Sequence, residues 1–448
     1  MLTAPAHDVL QNLTFADLPP TVVEQARRCL LDLFGTAAAG THTAMSRIAR
    51  DHAHDHLAAT GAGAPMLFDG RRVSPPGVAF AGAATIDSFD AHDGHALTKG
   101  HAGAAVLPAA LAVIDDPATT DAGHFLTAIV LGYEIAIRAA LSLHASTPEY
   151  HSSGSWNALG AAATAASLLG LDPPRFGHAL GLAEYHAPRG PMMRCIDHPS
   201  MVKDGSAAGS QAGVSATLLA QAGYTGAPAD LLARDSTTQR DIWDDLGHTW
   251  RILECNFKPY PVVRWVHAAL EAAHNLQLTH PFDPQTVARI DVSTFAQASR
   301  LTVAHPATAE EAQYSLTYPL ACMIANGHIA PTDVTDPTTV NNPALVAQLA
   351  DRTRIQPNEE FTRQFPAQRI ADVRLTLTDG AQLHSGPTTA AGDPDRPLSN
   401  EQLSTKFGVN AATLLTKPDS AHLAALTWNL SPATSLEPLF QLLTTPHV

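Results

Sequence analysis

The chain has 448 residues, of which 45% are apolar and only 15% are charged, and this globular composition excludes intrinsic disorder. Its formal net charge of −15 excludes a general affinity for nucleic acid or anionic membrane, because such a chain repels polyanions. An anionic ligand would therefore have to be held by a local cluster of cations. The length predicts about two or three folding units.

Cysteine usage and the N-terminus carry no export or cross-linking signal. The four cysteines are far apart and form no CxxC pair, which argues against a disulfide framework or a zinc finger. They are Cys29, Cys195, Cys255 and Cys322. Met1–Pro5 does not begin a basic and apolar leader, and the apolar stretch Ala104–Ile114 is too short to span a bilayer. We expect a soluble cytoplasmic protein that binds neither membrane nor nucleic acid.

Helical patterns fill the first half of the chain. Val22–Asp32 has apolar residues at helical spacing, and this run ends at Gly35. Further helices are predicted over Ala79–Phe89, Ala102–Ile114, Phe125–His144, Trp156–Leu169 and Ser206–Ala222. Many of them are rich in Ala and Gly on several faces, which lets helix axes approach closely, so we expect central, buried helices.

The pattern changes after about residue 259. Ile290–Phe295 and Ala371–Thr378 alternate like strands, and Asp379-Gly380 is a turn signal before a return strand at Gln382–Ser385. Helical patterns lie between them, over Ala309–Asn326 and Pro343–Ala350, and resume after the N-cap candidate Ser399. The fold class is therefore predicted as mainly α. One large helical domain would comprise residues 1–258 and 398–448, and a smaller α+β unit would comprise residues 259–397.

The segment Asp87–His101 gathers three Asp, three His and one Lys between two apolar helices. Histidine–carboxylate pairs tune imidazole basicity, which proton transfer requires. Two alternatives compete with a catalytic role. One is a solvated polar loop. The other is a metal site built from His92, Asp93, His95 and His101, but neither an HExxH pair nor a cysteine ligand supports it.

Three of the predicted buried helices begin beside a cationic or titratable residue. These residues are His101, His151 and Lys203. His151 lies within Tyr150–Gly154, where Ser152 or Ser153 is the N-cap candidate. Because helix N-termini attract anions, three such ends together would bind a carboxylate. Taken singly, each histidine would more often be structural.

Phe257–His267 carries Lys258, Arg264 and His267 on a path that two prolines stiffen. It lies at the predicted boundary between the helical and α+β units, which is a usual place for a ligand cleft. The alternative is a plain interdomain linker with solvated cations.

Read together and in order, these segments resemble the MmgE/PrpD family over nearly the whole chain. Ala26–Gly35 is similar to its first helix, and Tyr314–Ala321 to its Ser-Leu-x-Tyr segment. Gly392–Ser399 followed by Lys406-Phe407 is similar to its return segment. The resemblance matches the following residues to family site positions: Asp90, Asp93, His101, His151, Lys203, Lys258, Arg264, His267 and Tyr318.

The chain also departs from the family pattern. Gly94 stands where relatives usually have Thr, and Ala102 and Asp204 stand where relatives have Pro. Val263 occupies a position where the cis-aconitate decarboxylases of the family carry a further histidine. His92, His95 and Lys99 enrich the loop. The resemblance therefore implies the family scaffold without fixing the substrate.

The resemblance implies a fold, an assembly and a chemistry. The α+β unit would be a lid on an all-helical domain, and the protein would be a homodimer that needs no metal and no cofactor. The shared chemistry is proton transfer next to a carboxylate of a small-molecule substrate. Lys203, Lys258 and Arg264 would hold the carboxylates, with Asp93, His95, Lys99 and His267 contributing to substrate binding.

The remaining roles concern protons. His151 or His101 would be the base or the acid, Asp90 would orient an imidazole, and Tyr318 would protonate a leaving hydroxyl. Our first hypothesis is a hydro-lyase acting on a small hydroxy-di- or tricarboxylate. The alternatives are a decarboxylase of a cis-aconitate-like acid, an epimerase of an amino- or imino-dicarboxylate, and a non-catalytic binding protein.

Overall fold

The fold is mainly helical, as predicted. The computed structural model describes residues 12–233 and 235–446, so the N-terminal Met1–Pro5 lies outside the described residues. In the described part of the chain the α-helices are Pro20–Gly40, Ala44–His56, Pro75–Asp87, Gly103–Val113, Ala122–Ser146, Gly154–Leu168, Pro173–His186, Met193–Asp197, Ser206–Gln221, Thr237–Trp243, His267–Thr279, Ala309–Gln313, Thr317–Asn326, Pro331–Thr335, Pro343–Asp351, Glu359–Gln364, Asn400–Ala411, Lys417–Trp428 and Glu437–Thr444.

The first long helix, Pro20–Gly40, continues past Gly35, where the sequence predicted its end. Gly35 has a packing role instead. A Cβ at this position would lie 3.1 Å from a ring carbon of Phe407, so the missing side chain lets the C-terminal helix Asn400–Ala411 lie close. The two ends of the chain therefore pack directly on each other.

The central helices confirm the prediction of close, buried packing. A Cβ on Gly160 would lie 2.5 Å from the carbonyl oxygen of Gly132, so Gly154–Leu168 and Ala122–Ser146 touch backbone to backbone. By length and composition Ala122–Ser146 could cross a membrane, but 94% of its most apolar window is buried inside the protein. It is a core helix.

One larger sheet lies in the second half of the chain, and two-stranded pairs lie in the rest of the described chain. The strands are β1 (Ala64–Pro65), β2 (Arg72–Val73), β3 (Gly94–His95), β4 (Cys255–Asn256), β5 (Val287–Thr294), β6 (Thr353–Pro357), β7 (Ile370–Leu377), β8 (Gln382–His384) and β9 (Thr388–Thr389). The larger sheet has the order β6-β5-β7-β8, with β9 also paired to β7. Strand β6 runs parallel to β5, and the other pairings in this sheet are antiparallel. The three predicted strands are confirmed as β5, β7 and β8.

The predicted helix Ala309–Asn326 is wrong as one element, because it divides into Ala309–Gln313 and Thr317–Asn326. Pro319 explains the division. Proline lacks an N–H and is tolerated in the first turn of a helix but not in its interior. The Ser315 side chain accepts a hydrogen bond from the Tyr318 N–H at 3.1 Å and so stabilises the new start.

The described residues contain four clusters of buried hydrophobic side chains, and two of these are large. Ala216 and Ala220 of the helix Ser206–Gln221 belong to one, together with residues from both chain ends. Ile290 and Val292 of β5 belong to the other. We propose on this basis that residues 1–258 and 398–448 form one domain and residues 259–397 the other.

Candidate active site

The segment from Asp87 to His101 is largely buried, with Leu97 as its exposed residue, and this excludes the solvated-loop alternative. Asp87, Asp90, His92 and Asp93 are at most 1% exposed, and His101 is 8% exposed. Within the segment, β3 pairs with β4, so that Gly94 lies opposite Asn256. This short ladder fixes the Asp/His segment against the strand that leads directly into Lys258.

Asp90 and Lys258 form a buried ion pair. Lys258 Nζ donates to Asp90 Oδ1 at 2.6 Å, and the Asp90 backbone N–H donates to Gln313 Oε1 at 2.8 Å. Burial by itself would raise the pKa of Asp90, but the positive charges of Lys258 and Lys203 outweigh it and hold that pKa well below its usual range. Asp90 is therefore a carboxylate, and its charge keeps an ammonium group in the cleft.

His101 presents one free ring nitrogen to the cleft. Its Nδ1 lies 2.6 Å from the carbonyl oxygen of Asp93, which can only accept, so Nδ1 carries the proton and Nε2 has a lone pair. Its backbone N–H donates to Ser153 Oγ at 3.1 Å. Burial, with the nearby His92 and Lys258, lowers the pKa of His101 to about 4. A neutral imidazole in this tautomer can act as a base.

His92 lies behind His101 and is stacked on it, with ring centroids 3.9 Å apart. Its Nε2 lies 3.3 Å from Asp87 Oδ1. Among the described residues, ligand atoms that could hold a metal gather at Asp90, His92 and His101. This differs from the predicted four-ligand alternative, because Asp93 accepts from Tyr133 and His95 contacts Glu254.

The chemistry of this group fits a metal poorly. Lys258 Nζ already contacts the Asp90 carboxylate, and a second cation at the same oxygen would be repelled. The Asp93 carbonyl occupies Nδ1 of His101 and leaves Nε2 as the one ring nitrogen that could bind a ligand. We therefore keep the prediction that the reaction needs no metal.

The cleft is lined by further cations. Arg264 and Arg369 both line it, with Lys99 and Lys258. Asp393 lies between the two arginines, 2.8 Å from Arg264 Nη2 and 3.9 Å from Arg369 Nη1. Burial lowers the pKa of Arg369 to about 10, so it remains charged near neutral pH. One carboxylate shared between two guanidinium groups leaves positive charge for a ligand.

Lys99 has a left-handed backbone, with φ of +55°, and lies at the edge of the cleft. Its Nζ is 4.8 Å from the centre of the Tyr150 ring. Burial and the neighbouring Arg369 lower its pKa to about 8. Such an ammonium group, facing an aromatic ring, is available to a carboxylate.

Several predicted residues lie just outside the cleft. Lys203 Nζ donates to Gln313 Oε1 at 2.7 Å and lies over the Tyr314 ring. Asp93 accepts from the Tyr133 hydroxyl at 3.1 Å, and burial with nearby Asp32 raises its pKa to about 8. These residues support the cleft from behind.

His95 and His267 are placed differently. His95 lines the cleft, and its Nε2 lies 2.8 Å from Glu254 Oε2. His267 is buried with Nε2 3.0 Å from the Val262 carbonyl oxygen, and its Nδ1 is 3.3 Å from Arg264 Nη1. It therefore supports the arginine and does not line the cleft.

Two further predicted site residues do not line the cleft. Tyr318 donates its hydroxyl to the carbonyl of Asp333 at 2.8 Å, because the new helix start turns it toward the α+β core. His151 is partly exposed, and its Nδ1 lies 3.0 Å from the Glu149 carbonyl oxygen. The helices that begin at Gly103, Gly154 and Ser206 do converge, but of the three residues at their ends only His101 lines the cleft.

The structure also adds cleft residues that the sequence interpretation missed. Tyr314 lies four residues before Tyr318, and Asp204 directly follows Lys203, so both were within reach of the quoted motifs. Arg369 gave no signal, because it precedes β7 and is far in sequence from every motif. The full set of added lining residues that carry polar groups is Tyr150, Asp204, Asn256, Trp265, Tyr314 and Arg369.

Comparison with known proteins identifies the class. The MmgE/PrpD N-terminal domain matches residues 7–244, and the MmgE/PrpD C-terminal domain matches residues 260–431. The chain therefore belongs to the MmgE/PrpD family.

Curated relatives of the chain include three cis-aconitate decarboxylases. The protein from Aspergillus terreus is 23% identical and the alignment covers 97% of this chain and 94% of the relative. The human protein is 25% identical over 94% and 90% of the two chains, and the mouse protein 24% over 98% and 93%. These relatives support an enzyme of lyase type.

Proposed function

We propose that the protein is a hydro-lyase that removes water from a small hydroxy-di- or tricarboxylate. The observation that carries this proposal is His101, a neutral imidazole whose free Nε2 faces a cleft lined with cations. An imidazole in that state accepts a proton, and the cations attract the carboxylates beside the carbon that loses it.

The charges of the cleft support a substrate with more than one carboxylate. Lys99, Lys258, Arg264 and Arg369 all line the cleft. Guanidinium groups bind carboxylates through two parallel hydrogen bonds. A substrate whose carboxylates contact two of these cations would hold its C–H bond between them.

Proton removal beside a carboxylate builds negative charge on that group. The Lys258 ammonium, held in place by Asp90 at 2.6 Å, would stabilise this charge without having to reorient. His101 cannot turn away, because Asp93, Ser153 and Asn157 fix its ring and backbone. The base and the cation are therefore preorganised.

Decarboxylation is the second candidate, and the names of the curated relatives favour it. Val263 lines the cleft of this chain, at a position where the family's decarboxylases carry a histidine according to the resemblance. An apolar side chain there cannot donate the proton that replaces a lost carboxylate. This difference is why we place dehydration first.

A panel of small hydroxy acids and unsaturated acids in D₂O tests both candidates. Dehydration would form a new double bond without gas release, and the reverse reaction would add deuterium to carbon. Decarboxylation would release CO₂ and place one deuteron where the carboxylate left. An epimerase would return substrate of inverted configuration that carries deuterium. Turnover of no acid on the panel would contradict the proposed function.

We also propose that the enzyme acts in the cytoplasm, that it is a homodimer and that it works without a metal or cofactor. Prolonged chelation should leave its rate unchanged. Activity lost on chelation and restored only by a divalent ion would reverse the metal prediction.

A further inference from the structure

Asp204 is a buried carboxyl group in the wall of the cleft, at a position where the resemblance implies proline. It is 2% exposed. Its Oδ2 accepts a hydrogen bond from the Tyr314 hydroxyl at 2.9 Å, and its Oδ1 accepts one from Ser153 Oγ at 3.1 Å. Both partners are hydroxyls, which can accept as well as donate, so they tolerate either protonation state of the acid.

The hydrogen bonds of the Asp204 side chain go to the Tyr314 and Ser153 hydroxyls. The side chain does not cap the helix Ser206–Gln221, because Asp87 Oδ2 accepts from the Ser206 N–H at 3.3 Å. The contact that joins this turn to the helix Gly154–Leu168 uses the Asp204 backbone carbonyl. An asparagine could occupy the same space.

The position of Asp204 relative to the base is what points to a function. Its Oδ2 lies 3.9 Å from Nε2 of His101, the nitrogen that faces the cleft. Burial, opposed in part by His101, raises the pKa of Asp204. A carboxyl group in this environment binds a proton more readily than an exposed one.

We propose that Asp204 is the acid that protonates the leaving hydroxyl of the substrate. This inference rests on the proposed dehydration. His101 Nε2 takes the proton from carbon, and the electron pair of the C–H bond is first held as an enolate of the neighbouring carboxylate. That pair then forms the double bond as the C–O bond breaks. The departing oxygen takes the proton of Asp204 and leaves as water. His101 is then protonated and Asp204 is ionised.

The short distance between His101 and Asp204 also lets both residues return to their starting protonation states. The proton gained by His101 can pass to Asp204 across the 3.9 Å that separates them, through a small movement or one bridging water. Protons then balance within the pair, and no further acid is required. Tyr318, which the sequence suggested for this role, does not line the cleft and donates its hydroxyl to the Asp333 carbonyl.

The test separates the two proton transfers. Asp204→Asn keeps the size of the side chain but has no proton of suitable acidity to give. We expect its dehydration rate to fall by roughly 10²–10⁴-fold, while deuterium from D₂O still enters recovered substrate within a few-fold of the native rate, because His101 is intact. Asp333→Asn is the matched control, since Asp333 is also buried but lies outside the cleft.

Each other outcome overturns the proposal. Near-native dehydration by Asp204→Asn would remove Asp204 from the chemistry. Loss of both dehydration and exchange, in a variant with native circular dichroism and melting temperature, would mean that Asp204 acts on the first step. If native enzyme neither dehydrates nor exchanges any hydroxy acid, the proposed function itself fails. That result is distinct, because it does not depend on the variant.

Discussion

A single carbonyl oxygen determines what His101 can do. Because Asp93 accepts from Nδ1, the tautomer with a free Nε2 is fixed before substrate arrives. Asp90 was predicted to orient an imidazole. It holds Lys258 and lies 3.7 Å from His92 Nδ1, so it acts on His101 only through these neighbours.

The lowered pKa of His101 predicts that the acid limb of the pH–rate profile lies at an unusually low pH. The base must be neutral to act, so kcat/KM should stay level down to about pH 5 and fall as the pH drops through about 4. This prediction is for the free enzyme, whose ionisations kcat/KM reports. The measured rates are corrected for the ionisation of the substrate. Recovery of activity after return to neutral pH shows that the protein remained folded at low pH. A limb near about 6.5, the value of an ordinary histidine, would contradict it.

Replacing His101 should stop the reaction without unfolding the protein. We expect His101→Gln to lower kcat by roughly 10²–10⁴-fold, which is the usual contribution of a general base. His124→Gln, an exposed position on the helix Ala122–Ser146, serves as the control. A folded His101→Gln enzyme with a near-native rate would assign the base elsewhere.

Arg369 is the residue that only the structure reveals, and it should act on binding. Loss of a charged hydrogen-bonding partner costs about 1.5–3 kcal/mol, so Arg369→Ala should raise KM roughly ten- to hundredfold. Arg374→Ala removes an exposed arginine from β7 and should leave KM unchanged. Equal effects of the two variants would indicate a long-range loss of charge and no direct contact.

At the scale of elements, the close helix pairs depend on glycines. Gly160→Ala should destabilise the protein by roughly 1–3 kcal/mol, since its Cβ would lie 2.5 Å from the Gly132 carbonyl oxygen and the helices must move apart. Gly177→Ala is the control, because that helical position has open space and alanine there should stabilise by about 0.5–1 kcal/mol. Urea denaturation measures both. A neutral Gly160→Ala would mean that the two helices can separate at little cost.

Sequence periodicity predicted these elements well and their breaks poorly. Helices such as Ala122–Ser146 and strands such as Ile370–Leu377 follow from spacing alone, since each has a buried face. The break between Gln313 and Thr317 does not, because the apolar pattern continues through it. That break turns Tyr314 toward the cleft and Tyr318 away from it, which one continuous helix does not predict.

At the scale of the whole molecule, local clusters in the sequence predicted most of the charged residues of the cleft but not all of them. Asp90, His101, Lys258 and Arg264 were predicted from local clusters of unusual residues, and all four line the cleft. Arg369 arrives through the packing of a strand that carries no such cluster. The tertiary structure decides which residues that are far apart in sequence lie close in space. Periodicity carries no information about such contacts.

The assembly prediction rests on the family resemblance alone. We expect a homodimer, and light scattering at micromolar concentration should give twice the mass of the 47.2 kDa chain. A monomeric mass at that concentration, from a preparation with full activity, would contradict it. Dilution series of the active enzyme would then show whether activity follows the dimer.

The contact between Gly35 and Phe407 also has a consequence during synthesis on the ribosome. The helix Pro20–Gly40 emerges early, yet the helix that covers it, Asn400–Ala411, is one of the last three helices of the described chain. At roughly 5–20 residues per second, the groove around Gly35 stays uncovered for tens of seconds. Lys406 on that late helix also donates to the Ala91 carbonyl in the Asp/His segment. A nascent chain should therefore be a client for chaperones that shield apolar surface, and it should gain activity only once its last helices are released.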